Sequence, residues 1–342
     1  EGKAGHMNDQ TDDDITAVVR ALGEAARGAA VSLAVASTDM KNAALTAGAE
    51  TIRASAPEIL AANDKDMDTA QGRDLSAALL DRLELDDARV EGMAKGLEEV
   101  AALPDPVGAV MAQWSRPNGL EIARVRVPLG VIGIIYESRP NVTADAGGIC
   151  LKSGNAAILR GGSESFHSST AIAGCLAQGL EQAGLPKGCI QLVPTRDRAA
   201  VGEMLTMTDC IDVIIPRGGR SLIERVSAES RIPVIKHLDG NCHVYVHAGA
   251  DLDMARKVVL NAKMRRTGIC GAAETLLIDE AILESHLPPI LNDLAGAGCE
   301  VRGDEKVAAL DNRIVPATEA DWDTEYLDAI IAVRVVSDVS HA

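Results

Sequence analysis

The first hundred residues show the spacing of apolar positions that is typical of helices. Residues 12–63 are rich in alanine and place apolar side chains such as Ile52 and Ile59 on one stripe. A second helical pattern covers 77–100 and ends before the helix breaker Pro104. This part of the chain is therefore predicted to be mostly helical.

A different pattern appears at 120–127, where apolar and polar side chains alternate after a turn at 117–119. A period of two predicts an exposed strand. Strands of this kind either pair with another subunit or form a plain surface hairpin, and the residues alone leave both alternatives open.

Short apolar runs alternate with helical stretches from Val127 onward. The predicted buried strands are 131–136, 156–159, 190–193, 211–215 and 233–235. A second region of the same kind follows, with predicted helices at 252–265 and 280–295 and predicted strands at 274–278, 300–302 and 330–336. This alternation predicts an α/β fold with a doubly wound parallel sheet.

The carboxyl ends of three predicted strands are polar. They are the segments 136–141, 160–163 and 216–221, of which the last two contain Gly-Gly beside arginine. Parallel sheets bind ligands at this edge, and the first amides of the following helices suit an anion. Neither glycine-rich loop matches GxGxxG or GxxxxGK[ST], and one such loop alone is more often a plain turn. Two of them in one sheet favour a nucleotide site.

Composition excludes several classes of protein. The chain has 342 residues, enough for two domains, with a formal net charge of -17 and 2% aromatic residues. This acidity and the scarcity of aromatic stacking surfaces disfavour nucleic-acid binding. Seven cysteines without a CxxC pair indicate a reducing cytoplasm. No signal peptide or membrane span is expected, and residues 1–7 resemble a tag remnant.

Cys270 is the candidate nucleophile. It lies between Gly268 and Gly271, which let the backbone bend and a substrate approach, and Lys263 and two arginines precede it as cations that favour an ionised thiol. Most cysteines are structural, and that interpretation is favoured for the cysteines in or beside apolar patterns, namely Cys150, Cys175, Cys189, Cys210 and Cys242.

The segment 237–247 is rich in His and Cys, which raises a metal site as an alternative. Its ligands do not converge, because Cys242 lies on one face of the predicted strand while His243 and His247 share the other. A structural strand is therefore favoured, and no metal is predicted.

Five blocks of sequence, in chain order, resemble the γ-glutamyl phosphate reductases of the aldehyde dehydrogenase superfamily. They are VPLGVIGIIYESRPNVTADA, LKSGNAAILRGGSE, VIIPRGGRSLIE, DGNCHVYV and GICGAAETLL. The resemblance implies NADPH-dependent reduction of L-glutamate 5-phosphate to L-glutamate 5-semialdehyde and phosphate, the second step of proline biosynthesis. It also implies a cytoplasmic homo-oligomer, with glutamate 5-kinase as a partner.

The resemblance implies roles for individual residues as well. Cys270 matches the catalytic cysteine, and Asn141 matches the asparagine that forms the oxyanion hole with the Cys270 amide. The implied cofactor contacts are Arg160, Gly161, Gly162, Ser163, Arg217, Gly218, Gly219 and Ser221. Arg139 and Lys152 are candidates for holding the substrate or its phosphate. His237 stands where acid-forming aldehyde dehydrogenases have a glutamate, which suits an enzyme that must keep water from its thioester.

The resemblance also predicts the domains. Residues 8–115 and 128–247 form an NADP-binding domain, 116–127 an oligomerisation hairpin, 248–331 a catalytic domain, and 332–342 the start of a C-terminal segment expected to be cut short. Two other functions stay open: an NAD(P)-dependent aldehyde dehydrogenase that forms a free acid, and a catalytically inactive nucleotide-binding homologue.

Overall fold

The computed structural model describes residues 6–72, 77–236 and 239–342. The chain divides into two compact units, Glu1–Lys236 and His237–Ala342. Each unit contains its own parallel sheet. In the described part of the chain, no helix is both long and apolar enough to cross a bilayer.

The first unit opens with helices, as the apolar spacing predicts. They are α1 (His6–Leu33), α2 (Thr38–Ala54), α3 (Ala56–Gln71), α4 (Ala77–Leu83) and α5 (Asp87–Ala102). The Asp86 carboxylate begins α5 by accepting a hydrogen bond from the Arg89 amide at 2.7 Å. This cap explains why the helical pattern predicted over 77–100 forms two helices.

An antiparallel hairpin follows, made of β1 (Val110–Ser115) and β2 (Glu121–Val125). Nearly all of its residues are exposed, which agrees with the alternating pattern. The hairpin begins at Val110, so the predicted boundary at 116 is wrong. Since β1 pairs with β2 along its length, with one irregularity between Val110 and Ala112, β1 belongs to the same structural piece as β2.

The sheet of the first unit contains β3 (Val131–Tyr136), β4 (Ala156–Arg160), β5 (Ile190–Leu192) and β6 (Val213–Arg217), all parallel, in the order β5-β4-β3-β6. The helices between and after them are α6 (Val142–Lys152), α7 (Phe166–Gln182), α8 (Ala199–Met204) and α9 (Arg220–Glu229). Along the chain, β4 and β5 follow β3 on one side of it, and β6 then lies on its other side. The crevice between the carboxyl ends of β3 and β6 is therefore the topological switch point, where such sheets bind ligands.

Both faces of this sheet are covered. Every residue of β3 is buried, with Ile134 in one apolar cluster and Ile135 in another on the opposite face. Small residues let the covering helices approach closely, since a Cβ added to Gly179 of α7 would lie 2.6 Å from the Ala44 carbonyl oxygen of α2. The predicted strand 233–235 is only a single bridge, between Val234 and Ile214.

The second unit repeats the α/β pattern. Its elements are β7 (Cys242–Val246), α10 (Leu252–Met264), β8 (Ala273–Asp279), α11 (Leu283–Gly296), β9 (Glu300–Gly303), α12 (Glu305–Ala308), β10 (Val315–Pro316) and β11 (Ile330–Val336). The sheet order is β10-β9-β11-β8-β7.

Two predicted domain boundaries are wrong in this unit. The boundary at 247 fails because β7 pairs with β8 and belongs to the second sheet. The boundary at 331 fails because β11 lies between β9 and β8, in the middle of that sheet. Residues 332–336 are therefore part of the unit's core and not the start of a separate segment.

Candidate functional site

Cys270 lies in an exposed turn of the second unit, between α10 and β8. The Ala272 amide closes the turn by donating to the Ile269 carbonyl oxygen at 3.0 Å. A Cβ added to Gly271 would meet none of the described residues within 4 Å, so they leave the turn open on that side. A substrate can therefore reach the sulfur, as a nucleophile requires.

Unlike the exposed Cys270, most of the other cysteines are buried. Cys150, Cys175, Cys189, Cys210 and Cys299 are buried, as expected for structural cysteines. Burial raises the pKa of the Cys150 thiol to about 12 and those of Cys189 and Cys299 to about 11. Cys242 is only half-buried, although the sequence pattern favoured a core position for it.

Lys263 is not a free cation beside Cys270, so that prediction is wrong. Its side chain is fully buried, and its Nζ lies 2.6 Å from Oε2 of Glu274, which is also fully buried. The other carboxylate oxygen of Glu274 accepts from the Leu327 amide at 3.3 Å. The pair links α10 to β8 on either side of the Cys270 turn and supports it structurally.

Residues 240–242 lie directly against the nucleophile turn. A Cβ added to Gly240 would be 2.5 Å from the Cys270 carbonyl oxygen and 3.0 Å from the Cys270 Cβ, so glycine is required there. The Cys242 thiol donates to the same carbonyl oxygen at 3.3 Å. Asn241 Nδ2 donates to the Trp322 carbonyl oxygen at 2.6 Å. The contacts of Gly240 and Cys242 restrain the Cys270 backbone, and the Asn241 hydrogen bond anchors the same segment to Trp322.

A second segment, 318–327, also approaches this place. The Glu325 carboxylate oxygen Oε1 would lie 2.9 Å from a Cβ at Gly240. Burial opposes the ionisation of Asp321, but hydrogen bonds from Thr318, Tyr326 and Arg302 hold the pKa of its carboxyl well below the usual value. The anchored carboxylate fixes the segment that presents Glu325.

Sequence reasoning missed Gly240, Cys242 and Glu325 as neighbours of the nucleophile. It weighed 237–247 as a metal site against a structural strand, and used 239–246 only as one block of the family resemblance. The usable signal was the DGNC block itself, which resembles a family motif although it contains no obvious chemistry. His237, where the resemblance departs from acid-forming enzymes, lies outside the described residues. Within those residues, no group of three or more His, Cys, Asp or Glu could hold a metal ion.

In the first unit, the segments after β3, β4 and β6 meet at the carboxyl edge of the sheet. β3 pairs with both neighbours, Ile135 with Arg160 and Tyr136 with Arg217. The Gly219 amide, at the start of α9, donates to Glu137 Oε2 at 2.9 Å. An internal carboxylate thus occupies an amide at a helix N-terminus, a position that suits an anion.

The predicted Gly-Gly loops are shaped by carboxylates. A Cβ at Gly218 would be 2.4 Å from Glu137 Oε2, and a Cβ at Gly162 would be 2.1 Å from Glu164 Oε1. Glu164 accepts from the amide of Ser138 at 2.6 Å and from its hydroxyl at 2.9 Å. Ser138 has φ of 50°, a conformation unusual outside glycine. The structure therefore brings the three predicted loops together.

Arg160 is the buried cation of this edge. Only 7% of the residue's surface is exposed. Nη1 donates to the Gly161 carbonyl oxygen at 2.6 Å and Nη2 to that of Arg196 at 3.0 Å. Its Nε has no hydrogen-bond partner among the described residues. A buried guanidinium with an unused N–H fits an anionic ligand group.

The remaining predicted residues differ in placement. Asn141 precedes α6, and its Nδ2 donates to Asp145 Oδ2 at 2.8 Å. Arg139 and Ser163 belong to the loops after β3 and β4, and Ser221 lies in the first turn of α9. Lys152 is buried, with Nζ 2.6 Å from Asn42 Oδ1 and 2.8 Å from the Ala101 carbonyl oxygen.

The position of Lys152 corrects its predicted role. It lies at the end of α6, and a lysine nitrogen committed to two internal acceptors is not available to an anion at the strand ends. The amide of Asn42 and the carbonyl oxygen of Ala101 instead tie α6 to α2 and α5. Lys152 is therefore a structural residue.

Comparisons with known proteins agree with this architecture. The model of the aldehyde dehydrogenase family matches residues 3–301. A gamma-glutamyl phosphate reductase from Rhodospirillum rubrum is 62% identical over 339 residues, covering 98% of this chain and 79% of that protein. One from Brucella anthropi is 58% identical over 334 residues, covering 97% and 78%.

Solved structures give the same result. The crystal structure of gamma-glutamyl phosphate reductase from Thermotoga maritima has a TM-score of 0.89 and 44% identity, covering 94% of this chain and 78% of that one. An acetylating aldehyde dehydrogenase from Geobacillus thermoglucosidasius, at 18% identity and a TM-score of 0.65, shares the fold over 96% of this chain and 77% of its own. Because the family model covers most of the sequence, the chain belongs to the aldehyde dehydrogenase family.

Proposed function

We propose that the chain reduces L-glutamate 5-phosphate to L-glutamate 5-semialdehyde, with release of phosphate, as the second step of proline biosynthesis. The observation that supports this most directly is the 62% identity, over 98% of the chain, to a protein named gamma-glutamyl phosphate reductase. The exposed Cys270 supplies the thiol that such chemistry requires. Glutamate 5-kinase is the proposed source of the substrate, and the cytoplasm the proposed location.

Cys270 is proposed to act as the nucleophile. Its thiolate attacks the carbonyl carbon of the acyl phosphate, so that a carbon–sulfur bond forms while the carbon–oxygen bond to phosphate breaks. The product on the protein is a thioester. Phosphate is a good leaving group, so the departure needs little acid catalysis. The role of Asn141 as an oxyanion donor stays a prediction from the resemblance, and to play it Asn141 must release Asp145.

The first unit is proposed to hold NADPH. The unused Arg160 Nε and the first amides of α9 fit phosphate groups, provided that Glu137 releases the Gly219 amide. Arg217 lies at the end of β6, on the same edge. These residues bind and orient; when bound, NADPH supplies the hydride that reduces the acyl group. The preference for NADPH over NADH is part of the proposal.

Phosphate dependence tests the reaction. In the reverse direction, the full chain with L-glutamate 5-semialdehyde and NADP⁺ should form NADPH only when inorganic phosphate is present. NADPH formation without phosphate, with free glutamate as the product, would identify the acid-forming alternative. Absence of turnover in both directions, with NADPH still bound, would identify an inactive homologue.

The Cys270→Ala variant tests the covalent route. Single-turnover reduction of glutamyl phosphate, formed in situ from glutamate and ATP by a kinase, should fall by about 10³-fold or more. Binding of NADPH, followed by its fluorescence, should change little because Cys270 and the proposed phosphate contacts lie in different units. Appreciable turnover in this variant would refute the covalent route.

A homo-oligomer is also proposed. The hairpin of β1 and β2 exposes large apolar side chains, including Met111, Trp114 and Val125, and β1 and β2 pair only with each other in the described sheets. A second copy of the chain is the proposed cover for this surface. Light scattering should show a smaller particle for Trp114→Glu than for the unmodified chain. An unchanged mass would contradict this role of the hairpin.

A further inference from the structure

A second accessible thiol lies beside the nucleophile. Cys242 begins β7 and is half-buried, and its Sγ donates to the Cys270 carbonyl oxygen at 3.3 Å. Two residues earlier, Gly240 approaches so closely that an added Cβ would be 3.0 Å from the Cys270 Cβ. Both thiols belong to the second unit, so their proximity is a property of one compact fold.

The nucleophile turn has room to bring the two sulfurs together. Among the described residues, a Cβ at Gly271 would meet nothing within 4 Å, and one at Gly268 would meet the Leu327 carbonyl oxygen at 3.9 Å. A disulfide requires Cβ atoms roughly 3.5 to 4.5 Å apart. Rotation of both side chains about their Cα–Cβ bonds turns the two sulfurs toward each other, and a shift of the exposed turn sets the separation of the Cβ atoms.

The other thiols do not compete. Cys299, the remaining cysteine of the second unit, is buried, and burial raises its pKa to about 11. The thiols of the first unit that the structure describes are buried as well. Among the described residues, Cys242 is therefore the thiol placed to react with an oxidised Cys270.

We propose that Cys242 is a resolving thiol that protects Cys270 from irreversible oxidation. A peroxide first transfers one oxygen to the Cys270 thiolate, which becomes a sulfenic acid while the peroxide is reduced to hydroxide. The Cys242 sulfur then attacks the Cys270 sulfur. The sulfur–sulfur bond forms, the sulfur–oxygen bond breaks, and the departing hydroxide takes the Cys242 proton and leaves as water. A dithiol returns both cysteines to the reduced state.

This modification rests on the proposed function in one respect, namely that Cys270 reacts as a thiolate. It goes beyond that function because it assigns chemistry to a cysteine that the reductase reaction does not use. While the disulfide exists, the nucleophile is blocked, and oxidation stops at a reversible stage instead of proceeding to sulfinic acid.

Peptide mapping tests the bond directly. The full chain is treated with hydrogen peroxide, quenched with catalase, alkylated and digested with trypsin and Glu-C without reduction. Cleavage after Arg266 and Glu274 isolates Cys270 from Cys242 and from Cys299. We expect a linked Cys242–Cys270 peptide that disappears after dithiothreitol. Its absence, or a link between two chains on a non-reducing gel, would overturn the proposal.

Recovery of activity gives a second readout. Each variant is compared with its own untreated sample. The unmodified chain and the control Cys299→Ser should regain nearly all activity with dithiothreitol, whereas Cys242→Ser and Cys242→Ala should regain less than half and show sulfinic acid at Cys270. Equal recovery in all four proteins would overturn the proposal. A linked peptide in a chain without reductase activity would refute the proposed function and leave the disulfide intact.

Discussion

The buried pair of Lys263 and Glu274 gives the sharpest test of how the nucleophile turn is supported. Both side chains are fully buried, and their charged atoms are 2.6 Å apart. Lys263→Met keeps most of the apolar stem and removes the charge, so the variant isolates the ion pair. We expect the second unit to lose stability and the Cys270 turn to lose the link between α10 and β8 that flanks it.

The magnitude follows from what the substitution leaves behind. Removing one partner of a buried pair costs about 3–5 kcal/mol, because the other charge remains buried and unpaired. Glu274 keeps one donor, the Leu327 amide at 3.3 Å, so we expect about 3 kcal/mol. With a urea slope of about 2 kcal/mol per M, the midpoint should fall by about 1.5 M. The double variant Lys263→Met/Glu274→Leu should recover most of this loss.

Tryptophan fluorescence can follow the unfolding of the second unit by itself. The sequence has 2 tryptophans, so a Trp114→Phe background leaves Trp322, in the second unit, as the reporter. Lys306→Met is the matched control, because its ion pair with Glu280 is exposed and should contribute less than about 1 kcal/mol. A midpoint for Lys263→Met equal to that of the control would refute the argument. So would a double variant as unstable as the single one.

Three further predictions follow from the same geometry. Gly240→Ala should lower kcat by about 100-fold, since its Cβ would lie 2.5 Å from the Cys270 carbonyl oxygen. The control Gly296→Ala, where a Cβ would meet none of the described residues within 4 Å, should have no effect. Steady-state kinetics measures kcat, and circular dichroism shows whether a loss of activity comes from displacement of the turn or from unfolding. At pH 7, a thiol reagent should modify Cys270 before the buried cysteines, as mass spectrometry would show; simultaneous modification would contradict this. The folded state lowers the pKa of Asp321, so this carboxylate stabilises the fold above its unfolded pKa, and that stabilisation is lost as the pH falls. Asp321→Asn should therefore destabilise the protein at pH 7. In urea titrations, the stability difference between this variant and the unmodified chain should shrink below about pH 4.

The α/β architecture could be predicted because its signal is local. The run 131–136 contains apolar side chains on both faces of a strand, and the structure places β3 at those residues, buried throughout. The three polar strand ends were also predictable, since parallel strands end at one edge. By contrast, β1 has no clear alternation, and only its pairing with β2 defines it as a strand.

The parts that could not be predicted depend on contacts between distant positions. The sequence shows that Lys263 precedes Cys270, but not that Glu274, on the next strand, neutralises it. It likewise places Cys242 in a strand without showing that the Cys242 sulfur lies 3.3 Å from the carbonyl oxygen of Cys270, 28 positions later. Charge and burial at the site are set by tertiary neighbours, which no periodicity records.

The turn that presents Cys270 is restrained on one side and open on the other, and nucleophilic catalysis requires both conditions. Gly240 and Cys242 lie against its carbonyl oxygen, which restricts the backbone whose Cys270 amide is proposed to face a developing oxyanion. Open space at Gly271 leaves the sulfur accessible to an acyl phosphate. The same openness exposes the thiol to oxidants, because a peroxide needs no more room than a substrate. The resolving role proposed for Cys242 would stop that oxidation at a reversible disulfide and leave the sulfur accessible to the substrate once the bond is reduced.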